Sequence, residues 1–180
     1  MEPIEQKSFV NTAVIIGVIF GVTYSIVNVI SLTIGVNSGA VGVGSILFFC
    51  FMCCAFAILP GLLANRFYIH EIKTAVEIGK GALIGLTAGL IFGVVFGFFD
   101  NVVWRLFGVD TEALTLEYML LMFENLNIDD PNMRDEMMSS TSGSRTFSLF
   151  LNVLVAGLLN VLSGMAGAAI FSKPYEDKEI

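Results

Sequence analysis

No Asp, Glu, Lys or Arg occurs between Lys7 and Arg66, between Lys80 and Asp100, or between Arg145 and Lys173. A helix needs about 20 residues, at about 1.5 Å each, to cross the hydrocarbon core of a bilayer. The first interval is long enough for two crossings and each of the others for one. The chain therefore reads as all-α, an integral-membrane four-helix bundle in a single domain, with spans at about 9–34, 45–64, 75–104 and 147–171. Only 14% of its residues are charged, against about 25% in soluble domains, and its mean hydropathy is +0.82. The apolar run behind Met1–Lys7 exceeds the roughly 7–15 residues of a signal-peptide core, so it reads as a retained first span.

The third span carries a ladder of glycines at intervals of four: Gly81, Gly85, Gly89, Gly93 and Gly97. A glycine in a helix interior costs about 1 kcal/mol against alanine. Five on one stripe make sense where small residues let helix backbones approach closely in a membrane. The first span offers Ala13, Gly17, Gly21 and Ser25 at the same spacing, and the fourth offers Ala156, Asn160, Gly164, Ala168 and Ser172. An interval of four overshoots a helical turn by about 40°, so the two ends of the ladder point in different directions. Two readings stand: packing within one bundle, or one end packed within the chain and the other against a second copy.

Polar residues inside the spans are few. Asn28, Asn152 and Asn160 could tie helices together or line a polar pathway. No acid, base or histidine lies at mid-membrane depth, where ion-coupled transporters keep one. Cys50, Cys53 and Cys54 sit in an aromatic helical run, which suits small-residue packing and leaves no loop to wrap a metal. His70, the only histidine, falls before the third span and cannot form an axial haem pair. No nucleophile–base set, phosphate loop or His-Glu-x-x-His occurs. Neither cofactor nor catalytic residue is expected, and the chain reads as a non-enzyme.

Thr74 and Glu77 fit a capping box that would start the third helix at Ala75. Asp100, Trp104 and Arg105 would mark its far interface. The acidic connection 105–146 contains Leu116, Met119, Leu120 and Phe123 at helical spacing, an amphipathic helix suited to a membrane interface or a protein partner. Asp130 and Pro131 suggest a second short helix over 132–139. Lys7, Arg66, Lys73, Lys80, Lys173 and Lys178 lie on the side of both termini, and Arg105, Arg134 and Arg145 on the other. The positive-inside rule then puts the termini in the cytoplasm and the acidic helical connection outside. A net charge of −7 argues against nucleic acid or an anionic lipid surface as partner.

The segment Phe67–Gly81 leading into a glycine-rich third span, the acidic, Met-containing connection with Asp130-Pro131, and the last span ending Ala168-Ala-Ile-Phe-Ser-Lys-Pro174 resemble a bacterial four-span integral-membrane family of unknown function. The resemblance implies a location in the cell's inner membrane and brings no site residues. From the residues themselves we expect a helix-packing or assembly component that contacts the bilayer and a second copy or another membrane protein. The alternative is an oligomeric carrier or channel subunit for a small solute.

Overall fold

The computed structural model describes residues 8–39, 41–128 and 145–176. It is helical throughout the described secondary structure: α1 (Phe9–Ser38), α2 (Val43–Ile72), α3 (Ile78–Phe98), a π turn (Phe99–Val103), the short α4 (Trp104–Leu106), α5 (Thr111–Asn125) and α6 (Arg145–Glu176). Four helices are long and apolar enough to cross a membrane, the third comprising α3, the π turn and α4. The four-span bundle read from the charge gaps is thus the architecture found. The expected helix over 132–139 lies outside the described residues.

The ends of the spans differ from expectation in instructive ways. Ser8 caps α1 by accepting the Val10 N–H, and Gly39 closes it in the left-handed conformation at φ 61°, a geometry that favours glycine. Helix α2 runs eight residues past the expected end at Ala64. Tyr68 and Ile69 explain the extension, because both are buried in the core with Ala13 and Ile16 of α1. His70 is therefore in the last turn of α2 and not in a loop.

The capping box does not form. Helix α3 begins at Ile78, Glu77 is its N-cap without a side-chain bond, and Thr74 stays outside the helix. The cause is tertiary. Ser172 Oγ accepts the Val76 N–H at 2.8 Å and lies 3.2 Å from the Val76 carbonyl oxygen, to which it donates. That pair of bonds fixes the connection in a non-helical path where the local signal favours an earlier helix start.

Helices α2 and α3 each touch both α1 and α6, and the most extensive contact is between α3 and α6. The interior between the spans is built largely of small side chains. Ala13, Ala64, Ala88 and Ala168 are buried at one end, while Phe56 and Phe92 fill the other half beside Ala156. Large apolar residues such as Leu47, Phe51, Leu83 and Leu162 point outward, the arrangement a bilayer solvent permits and water does not.

Candidate functional site

The glycine ladder lies against α6. A Cβ added at Gly81 would meet Ala168, one at Gly85 the backbone of Asn160, one at Gly89 the Ala156 carbonyl oxygen at 2.6 Å, and one at Gly93 the Val153 Cα at 2.8 Å. The partner numbers fall as the ladder rises, so the two helices run antiparallel with their backbones nearly touching. Gly164 completes the contact from the other side, facing the Gly81 carbonyl and Gly85. Gly97 is also buried, and its carbonyl accepts from Asn101 at 2.9 Å. Gly17 and Gly21 serve a second seam, where added Cβ atoms would fall 2.7 Å from the Ala88 carbonyl oxygen and 2.8 Å from Val95.

Where α2 joins α3 and α6, two fully buried asparagines form a polar seam. Pro60 lies inside α2 and cannot donate the helical hydrogen bond of its position. The Gly61 N–H beside it donates across the interface to Asn160 Oδ1 at 2.6 Å. Asn160 Nδ2 in turn donates to the Ala156 carbonyl at 2.8 Å. Gly61 has to be small, because a Cβ there would strike Ser163 Oγ and lie 2.5 Å from the Asn160 carbonyl oxygen. Asn65 Nδ2 bridges the carbonyls of Gly61 and Gly81, each at 3.0 Å. Its Oδ1 is a buried acceptor with no hydrogen-bond partner; an added Gly81 Cβ would lie 3.2 Å from it. Backbone exchange among three helices is the work this seam does.

The three asparagines singled out from the sequence do not come together. Asn160 belongs to the seam, but Asn152 is exposed. Eight residues turn a helix about 80° beyond two full turns, enough to move Asn152 onto the outer surface. Asn28 is half-buried on α1, beyond Gly21 and its contact with Val95 and so well along the bundle from Asn160. A pathway lined jointly by Asn28, Asn152 and Asn160 is not what the structure contains. Asn65, one residue beyond the expected end of the second span, takes their place. No local signal marks Asn65 for this role, because one of its two acceptors, the Gly81 carbonyl, belongs to α3.

Toward the opposite end, the Tyr24 hydroxyl and Cys53 thiol are hydrogen-bonded at 3.1 Å. The Tyr24 ring packs on Phe56 and Phe96, with centroids 5.0 and 4.9 Å away. Cys53 is half-buried, whereas Cys50 and Cys54 are exposed on α2. Among the described residues no cluster of His, Cys, Asp or Glu could hold a metal ion. Trp104 is not a free interfacial anchor: its indole N–H donates to the buried Ser25 Oγ at 2.6 Å, joining α4 to α1.

Helix α5 forms where expected, with Asp110 Oδ1 accepting the N–H groups of Glu112 and Ala113. Its docking face is a different one. Thr111 donates to the Asp100 carbonyl at 3.2 Å, the Tyr118 ring fills the space over Gly35, and Asn125 donates to the Gly39 carbonyl at 3.0 Å. These three residues recur every seven, on the side of the helix opposite Leu116, Met119, Leu120 and Phe123. Met119 is exposed and the other three are half-buried.

No known protein family, no curated protein and no solved structure matches this chain, so what it is rests on its own geometry: a four-span helical membrane protein.

Proposed function

We propose that the chain is a non-catalytic membrane protein that acts by assembly, with its termini on the cytoplasmic side of a cell's inner membrane. One observation carries this reading: the polar side chains of the central seam, Asn65, Asn160 and Ser163, spend their donors on helix backbone. Side chains used in this way hold helices in register and present no donor to a reacting group. Because Gly81, Gly85, Gly89 and Gly93 are engaged with α6, a contact with a second copy or another membrane chain falls elsewhere. The stripe Leu116, Met119, Leu120 and Phe123 of α5 is the candidate surface.

The test is the mass of the protein extracted from its native membrane in mild detergent. An oligomer or mixed complex that is lost in Phe123→Glu supports assembly through α5; a lone monomer in the wild type overturns it. For the orientation, activity of an external reporter fused at Ile180 rather than at Asn125 would reverse the assignment.

A second reading, a subunit of a small-solute carrier, draws on the unpartnered Asn65 Oδ1 within the seam. Solute flux into liposomes that disappears in Asn160→Leu would establish it.

A further inference from the structure

The chain's overall charge is negative, but its described charges are sorted by end. Asp100, Asp110, Glu112, Glu117 and Glu124 lie at the end of the bundle that carries α4 and α5, where Arg105 pairs with Glu112 at 3.9 Å. At the other end stand Arg66, Lys73, Lys80 and Lys173, with Glu71, Glu77 and, at the end of α6, Glu176 among them.

Two of these cations are fixed by aromatic rings. The Arg66 guanidinium lies 5.7 Å from the centroid of Phe171, across the α2–α6 contact. The Lys80 ammonium lies 5.1 Å from the centroid of Tyr68. Both are at one level: Asn65 bonds the Gly81 carbonyl, and Arg66 and Lys80 are the next residues outward on their helices. Immediately inward begins the apolar, charge-free part of each span. Among the described residues no carboxylate pairs with either cation, and no acceptor takes the N–H groups of Arg66. Ile170, one residue inward of Phe171 on α6, is more than half exposed, giving an apolar surface on the membrane side of the contact.

We infer that this end of the bundle is a docking surface for anionic phospholipids, with Arg66 as the fixed point that receives the phosphate. A guanidinium anchored over a ring keeps N–H donors for contact with phosphate oxygens. The acyl chain then lies along Ile170. Lys73, Lys80 and Lys173 supply the surrounding positive field. An anionic headgroup gains from each cation near the membrane surface, and the acidic end offers no equivalent.

The experiment is native mass spectrometry of the full chain in detergent, offered phosphatidylglycerol or phosphatidylcholine at equal concentration. Wild-type protein should retain phosphatidylglycerol in preference, and Arg66→Gln/Lys80→Gln should lose that retention by on the order of 25-fold, at roughly fivefold per cation. Arg66→Lys should bind at an intermediate level, and Arg105→Gln, at the acidic end, should bind like wild type. Equal retention of the two lipids by wild-type protein overturns the inference whether or not the double variant folds. So does undiminished phosphatidylglycerol binding by a folded double variant. Displacement of the lipid by millimolar inorganic phosphate would also overturn it, since the site would then be for a soluble anion.

Discussion

At the scale of single residues, the space available decides what can be substituted. Gly85 and Gly79 stand six residues apart, yet a methyl group at Gly85 runs into the Asn160 backbone, whereas one at Gly79 meets nothing within 4 Å. Gly85→Ala should cost about 1–3 kcal/mol, the range for overpacked interiors. Gly79→Ala should be neutral or stabilising by up to ~1 kcal/mol. Unfolding of the two variants by a denaturing detergent checks both values; equal stabilities would mean that α3 and α6 are not in backbone contact. A similar logic applies to Asn160, whose Oδ1 holds the Gly61 N–H. Asn160→Leu strands that donor in an apolar surround at a cost of about 1–3 kcal/mol. If Pro60 creates the demand, a helix with Pro60→Ala can absorb the loss internally. The double-mutant cycle should then show coupling of at least ~0.5 kcal/mol, and strict additivity would disconnect the proline from the asparagine.

At the scale of elements, α5 is a clasp over the ends of α1 and α2. Tyr118 covers Gly35, packs near Phe49 at 6.3 Å between ring centroids and is hydrogen-bonded to Ser45. Tyr118→Ala should release α5 while leaving the four spans folded, seen as about a tenfold rise in protease cleavage within 111–125, the factor that ~1.4 kcal/mol gives. Burial raises the Tyr118 phenol above its ordinary value, with the Ser45 bond pulling the other way. A raised value means that the docked helix prefers the neutral phenol. Docking is therefore at full strength below about pH 10 and weakens as the pH climbs through the docked value, so cleavage in the wild type should rise at alkaline pH and stay flat in Tyr118→Phe. How this element was legible also shows the limit of sequence reading. The period of its apolar residues identified the helix, because that signal is local. The docking face was missed because Thr111, Tyr118 and Asn125 read as polar surface until Gly35 and Gly39 of α1 are brought beneath them. The start of α3 failed for a related reason: Ser172, almost a hundred residues away, outweighs the Thr74–Glu77 signal. The spans themselves were readable because a bilayer excludes charge wherever a helix crosses it.

At the scale of the whole molecule, the closest contact joins the elements separated by the longest connection. Helix α3 meets α6, and residues 107–144 lie between the end of the third span and the start of the fourth. During synthesis at roughly 5–20 residues per second, the first three spans stand in the lipid for several seconds before the last one emerges. Through that interval the Gly81–Gly93 surface and the Gly61 N–H have no α6 to cover them. A chain stopped before Arg145 should therefore be short-lived in membranes, degraded faster than one stopped after Glu176, and pulse-chase labelling of the two measures the difference. The fourth span is thus a seal applied after the other three, and a chain that has not yet made it displays to membrane quality control the very groove that the assembled bundle hides.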